Sequence, residues 1–241
     1  MIISSRQKLQ SLNDYSMNIH IDGVPINQSN QSKSLELIID ENRSWKAHIH
    51  VICKKVSSGI GALKRVRPFV SMPTAIKIYK GLIEPHFEYC SAVWDGLTQQ
   101  LSEKLQKLQN RAIRVTVITN GKSSYDTSSR FLLNSLGWDN LSVRGVKQKA
   151  NLMYKCINNL APAYLCNLFA PRRPNYYFRY AKKKLMLPKP RTDYLKRSFS
   201  YSGALLWNNL PVEIRTSNSL GFFKRNSHRW FSGQYSHTAN M

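Results

Sequence analysis

Residues Ser198–Arg215 read SFSYSGALLWNNLPVEIR. Phe199, Tyr201, Leu205, Leu206, Trp207 and Leu210 crowd this stretch, close to the end of a very basic chain. A disordered basic tail has no use for so much apolar surface, because disorder goes with few aromatics and few large aliphatics. The block is predicted to be a helix carrying Leu205, Leu206 and Trp207, ended by a turn at Pro211, that packs onto helices upstream. The chain should therefore be mostly α, with a small N-terminal β-hairpin region, a helical bundle and a basic C-terminal segment.

The composition supports a packed core. Of 241 residues, 42% are apolar, while 36 Lys and Arg face 13 Asp and Glu, a net charge of +23. Such an excess repels itself and favours a polyanionic partner, nucleic acid before an anionic membrane surface. Residues 1–139 carry 18 basic and 11 acidic side chains, and residues 140–241 carry 18 and 2. The second half is expected to be the stronger electrostatic footprint. Cys53, Cys90, Cys156 and Cys166 are widely spaced with no C-x-x-C pair, which points to reduced thiols rather than zinc. No run approaches the roughly 20 apolar residues of a membrane span, and the N-terminus lacks a signal-peptide core. The expected setting is intracellular, nuclear or cytoplasmic, without secretion or a membrane partner.

Outward from the opening block, the pattern divides the chain into residues 1–43, 44–170, 171–197 and 198–241. In the first segment MNIHI alternates, Asp22-Gly23 is a hairpin signal and VPI follows. SLELIID places Leu35, Leu37 and Ile39 at period two, a third strand. From Ser44, a candidate N-cap, the period turns helical: Trp45, Ile49, Ile52, Val56, Ile60 and Leu63. Pro68 stops that helix and Pro73 opens the next. Further stripes run through Leu101, Leu105, Leu108, Ala112 and Val115, and through Val146, Ala150, Met153, Ile157 and Leu160. The stripes at 45–63, 101–115 and 146–160 are expected to share one core, with Trp45, Leu105 and Met153 buried. Residues 171–197 are basic, aromatic and broken by proline, and read as an extended linker. The last segment is a compact helical element with a frayed tail.

A catalytic constellation is not legible. Two-metal phosphoryl chemistry needs clustered carboxylates. The nearest pair, Asp40-Glu41, follows a strand and reads as a solvated turn. His48 and His50 stand two apart on a helix and face apart. No metal, cofactor or catalytic residue is predicted. Basic and aromatic residues remain. Lys54, Lys55, Lys64, Arg65 and Arg67 stud the first long helix and its end. Lys182, Lys183, Lys184, Lys189, Arg191, Lys196 and Arg197 follow Tyr177 and Phe178 in the later segment. Cations that neutralise phosphates beside rings that stack on bases suit sequence-tolerant nucleic-acid binding.

The order of motifs adds to this. KSLELIIDENRSWKAHI, IGALKRVRPFV, IYKGLIEPHFEYCSAVW, LSEKLQKLQNRAIRV, YDTSSRFLLNSLGWDNL, MYKCINNLAPAYL, then WNNLPVEIR and SLGFFKR, succeed one another. The succession resembles the C-terminal part of reverse transcriptases of jockey- and CR1-type non-LTR retrotransposons. That resemblance implies the end of a palm over residues 1–43, a thumb-like helical domain over 44–170, and a C-terminal signature in the opening block. It also implies that the catalytic Tyr-x-Asp-Asp turn lies upstream, with Met1 an internal methionine serving as a start. Glu36 stands where the family usually has Gly, and would set a carboxylate against primer phosphates. The resulting expectation is a truncated RNA-directed DNA polymerase relative of a transposable element, not an enzyme, that binds RNA or DNA. Two alternatives stand beside it: the C-terminal part of an active polymerase, and a helical scaffold protein that binds no nucleic acid.

Overall fold

The structure is a computed structural model, and it describes residues 1–11, 19–117, 127–172 and 183–237. It is mostly α, with two small hairpins near the N-terminus. Packing divides the chain into two units. The first comprises residues 1–87 and 97–124, and the second residues 88–96 and 125–241.

The first unit opens with helix α1 (Arg6–Ser11) and the hairpin β1 (His20–Ile21) and β2 (Val24–Pro25). Asp22 and Gly23 both have positive φ, 50° and 79°, as the Asp-Gly signal requires. Among the described residues β1 and β2 pair only with each other. The third expected strand is instead a second hairpin, β3 (Gln31–Ser34) with β4 (Leu37–Asp40). Leu35 and Glu36 form its turn, with φ 46° and 64°, and Leu35 is 83% exposed rather than facing inward beside Leu37. The alternation of SLELIID misleads because polar QSKS supplies the partner strand. The φ of Glu36 is one that glycine adopts at little cost.

The long helix α2 (Lys46–Val66) begins later than Ser44. Trp45 is its N-cap residue and makes no side-chain cap of its own, while Ser44 Oγ accepts from Lys46 N–H at 3.4 Å. The Asp40 carboxylate fixes the approach. It accepts from the backbone N–H groups of Asn42 (3.1 Å), Ser44 (2.9 Å) and Trp45 (3.0 Å). Asp40 is thus a buried turn-maker, not part of a solvated turn. Pro68 ends α2 as expected, and Ser71 caps α3 (Met72–Leu82), with Pro73 in its first turn. Helix α4 (Glu84–Glu88) follows. Helix α6 (Gln99–Val117) completes this unit. Its buried face runs through Leu105, Gln109, Ala112, Ile113 and Thr116, displaced from the expected stripe. Trp45, Ile49, Val56, Ile60, Leu63, Tyr79 and Ile83 form the core with them. A Cβ on Gly59 would lie 2.9 Å from Ile83 Cγ1, so glycine sets how closely this part of α2 is packed.

The second unit contains α5 (Ser91–Trp94), α7 (Ser129–Ser135), α8 (Leu141–Ile157), α9 (Ala163–Cys166), α10 (Asp193–Arg197), α11 (Phe199–Asn209), α12 (Val212–Arg215) and α13 (Leu220–His237). Trp45, Leu105 and Met153 are all buried, but the third stripe belongs to this second unit, so the three stripes do not share one core. Here Ala150, Met153 and Tyr154 of α8 pack with Ala204, Trp207, Leu210, Ile214, Phe223 and Phe231. The opening block is a helix ended before Pro211, and Trp207 is fully buried while Leu205 turns outward. A Cβ on Gly203 would meet Met153 Sδ at 2.6 Å, which explains a glycine at this helix crossing.

Trp207 and Asn208 do more than fill the core. Trp207 Nε1 donates to the Lys183 carbonyl at 2.8 Å. Asn208 accepts from Leu185 N–H at 2.8 Å and donates to Leu185 C=O at 3.0 Å, as a neighbouring strand would. On its other side the same segment pairs with residues 170–172: Arg172 N–H donates to Lys184 C=O and Met186 N–H to Ala170 C=O. The expected linker is therefore anchored as a short ribbon at this point, and its later part is α10, capped by Thr192.

Candidate nucleic-acid interface

The core stripe of α2 leaves its opposite face to solvent. Lys54, Lys64 and Arg65 are exposed there, with exposed Ser57 and Ser58 between them. A Cβ on Gly61 would meet nothing within 4 Å, as expected on an open face. At 1.5 Å rise per residue, Lys54 and Arg65 stand about 16 Å apart along the axis. The face has cations at both ends and small side chains between, so a polyanion could approach the helix closely.

Lys55 lies to one flank. It pairs at 3.5 Å with Glu36, which also meets Lys33 at 2.6 Å. The hydrogen bond and charge of Lys33, then the charge of Lys55, hold the Glu36 carboxyl below its ordinary pKa. Arg67 is placed elsewhere altogether. It is buried, and its Nε donates to Thr116 C=O at 2.9 Å, Nη1 to Val70 C=O at 2.9 Å and Nη2 to Val117 C=O at 3.4 Å. It satisfies carbonyls at the C-terminal end of α6, where a helix leaves them without partners. In this fold Arg67 is a packing residue rather than a phosphate contact.

Sequence reading passed over a second row of cations. Lys104, Lys107, Arg111 and Arg114 recur on α6 at i, i+3, i+7 and i+10, which puts them on one face about 15 Å long. The first three are exposed and Arg114 is half-buried. The spacing is legible in the sequence beside the leucine stripe of the same helix. Lys104 lies close enough to Cys53 of α2 to oppose the upward push that burial gives that thiol. Arg67, just past the end of α2, reaches the Thr116 carbonyl near the end of α6, and the two helices pack against each other.

In the second unit Lys183, Lys189, Arg191, Lys196 and Arg197 are exposed and Lys184 is half-buried. Lys183 Nζ donates to Asn158 Oδ1 at 3.4 Å. Lys196 pairs with Asp193 at 3.1 Å, and the Arg197 guanidinium sits 5.2 Å from the Tyr194 ring centre. Tyr177, Phe178 and Lys182 lie outside the described residues. The two basic clusters of the sequence thus belong to different units.

His48 is structural in placement. His48 Nδ1 accepts from Ile38 N–H at 3.4 Å, and burial holds its pKa below the ordinary value. Among the described residues no group of three or more His, Cys, Asp and Glu is placed to hold a metal ion. Of the cysteines, Cys53 and Cys156 are buried and Cys90 and Cys166 half-buried, all as free thiols. Burial, with Cys166 beside it, pushes the Cys156 thiol up to about 11, far from a reactive thiolate. No helix among the described residues is long and apolar enough to cross a membrane.

Comparison with known proteins gives a narrow result. No protein-family profile matches the chain, and no solved structure matches it. A stretch of 100 residues, 40% of the chain, is 23% identical to a protein described as "Probable RNA-directed DNA polymerase from transposon X-element" of Drosophila melanogaster, and spans 11% of that protein's length. The chain is distantly similar to a reverse transcriptase of a transposable element.

Proposed function

We propose that this chain is a non-catalytic, reverse-transcriptase-like fragment of a jockey- or CR1-type non-LTR retrotransposon, and that it binds nucleic acid without sequence preference. The outward face of α2, with Lys54, Lys64 and Arg65 flanking Ser57 and Ser58, carries the reading. On α6, Lys104, Lys107 and Arg111 form a further row of cations opposite that helix's buried face. Duplex DNA presents one charge per roughly 1.7 Å of axis, so a 15 Å row of cations meets more phosphates than it has side chains. Within the second unit, residues 183–197 contribute a separate set of cations. In the order of motifs, residues 1–43 correspond to the end of a palm and 44–170 to a thumb-like domain.

The lack of a carboxylate cluster in the sequence supports binding without polymerisation. Labelled-nucleotide incorporation on a primed template should not exceed a protein-free control. Binding is tested by fluorescence anisotropy over a salt series. Replacing Lys54, Lys64 and Arg65 together by Gln should weaken binding to all sequences alike and flatten the log–log salt slope by about 2 to 3. An unchanged slope would leave the scaffold reading in its place. The short span of the match favours a second reading, in which these residues serve as the C-terminal part of a longer, active polymerase. Joining the chain to an upstream palm of the same element and recovering chelator-sensitive synthesis would favour it.

A further inference from the structure

We propose that the ribbon of the second unit carries a pocket for one unpaired nucleobase of a bound single strand, an inference that rests on the nucleic-acid-binding reading. A cavity of about 670 Å³ lies beside the ribbon, lined by Pro171, Arg172, Leu185, Met186, Leu187 and Asn208 among the described residues. Its size falls in the range of about 300–1,000 Å³ typical of small-ligand sites. Its walls are mainly apolar, and Met186 and Leu187 leave 59% and 40% of their surface uncovered.

The charge around it selects the occupant. No Asp or Glu occurs between Asp139 and Asp193, whereas Arg172 lines the cavity and Lys183, Lys184, Lys189 and Arg191 adjoin it in sequence. An apolar peptide or neutral lipid would cover Met186 and Leu187 but leave these cations unanswered. A nucleotide answers both, with a flat apolar face for Pro171, Met186 and Leu187 and a phosphate for Arg172. Methionine sulfur and the guanidinium plane both pack well on aromatic rings. Asn208 uses one N–H and one lone pair on Leu185, which leaves its amide one further donor and one further acceptor for a base edge. Among the described residues Arg172 and Asn208 are the polar side chains of the lining, which gives little base preference. A base in duplex must first leave its stack and its partner, at a cost of a few kcal/mol, so the site favours single strands.

At the Pro171–Leu185 bridge the ribbon offers little to an added strand. Asn208 occupies the free edge of Leu185, and Pro171 has no N–H to offer on the other strand. An added β-strand is therefore a poorer occupant than a base.

The test uses the full chain and three probes: a single-stranded oligonucleotide, the same strand with abasic sites, and the matching duplex. The double variant Met186→Ala and Leu187→Ala alters exposed side chains, and circular dichroism checks that it folds. It should bind the intact single strand about five- to a hundredfold more weakly, with an unchanged salt slope and unchanged duplex affinity. The wild type should discriminate against the abasic strand by a similar factor. Salt-dependent wild-type binding that ignores both the abasic change and the double variant would overturn the pocket while leaving the general reading intact. No salt-dependent wild-type binding to any probe would overturn both. A double variant that fails to fold leaves the abasic comparison on wild type to decide.

Discussion

Helices α2 and α8 are of similar length and both carry several cations, yet three cations of each helix have opposite fates. On α2, Lys54, Lys64 and Arg65 face solvent. On α8, Arg144 pairs with Glu88 at 3.2 Å, Lys147 with Asp139 at 2.6 Å, and Lys149 with Asp95. Lys147 also donates to Ser232 Oγ at 3.0 Å, and Lys149 to Ser202 Oγ at 3.2 Å. The acids that answer α8 come from residues 88–139, outside the stretch whose charge excess is largest. Net charge by segment therefore overstates the footprint of the second half: among the described residues Arg144, Lys147, Lys149 and the buried Arg215 are spent on packing. A cation contributes its full charge to an electrostatic surface only where the fold gives it no carboxylate.

The comparison can be broken most easily at Lys147. Its side chain is 9% exposed and that of Asp139 is 30% exposed. Lys147→Met should destabilise the protein by about 3 kcal/mol, the low end for removing one partner of a buried pair because Asp139 keeps some solvent. Urea denaturation followed by tryptophan fluorescence measures this. A cost below about 0.5 kcal/mol would place α8 with α2.

A smaller loss is expected at the ribbon. Asn208→Ala leaves the N–H and C=O of Leu185, a residue only 5% exposed, without their partner. Stability should fall by about 1–3 kcal/mol. Hydrogen exchange should speed up at residues 184–186 before it changes in α2. Equal acceleration across the chain would deny the clamp a local role.

The pH dependence separates the units further. Burial holds His48 and His86 of the first unit and His228 of the second below the ordinary 6.5, with nearby lysines adding to the effect. A depressed histidine stays neutral when folded while the unfolded chain takes up a proton. Its stabilising contribution is therefore complete above about pH 6.5 and is lost as pH falls below that towards the folded value. His228→Gln should flatten this acid-side loss for the second unit alone, and His48→Gln for the first alone, as read from thermal melts at stepped pH. A melt whose pH profile ignores both variants would remove histidine from the account.

The smallest effect is expected on α2 itself. Lys64→Gln should change stability by no more than about 0.5 kcal/mol, since an exposed cation makes no packing contribution worth more. The contrast with Lys147 is then several-fold, on helices whose lysines look alike in sequence.

Much of the local structure was legible. The stops at Pro68 and Pro211, the start near Pro73, the Asp-Gly turn and the burial of Trp45, Leu105 and Met153 follow from spacing and backbone chemistry. The candidate interface was legible only in part. Lys54, Lys64 and Arg65 are where the helical period puts them. The α6 row was readable but was hidden by the apolar stripe beside it.

What the sequence alone determined is the class of the fold, a few of its helix limits at prolines and the excess of positive charge, because these depend on neighbours a few residues away. What only tertiary structure decided is where the charge ends up and how the helices group. Arg67 is drawn inward by carbonyls 49 and 50 residues along the chain. Leu35 turns outward because a polar strand pairs with Leu37–Asp40. The third apolar stripe joins the second unit because its partners are Trp207, Phe223 and Phe231. Each of these outcomes depends on a partner distant in sequence or on a pairing register, and no local pattern records which partner is chosen.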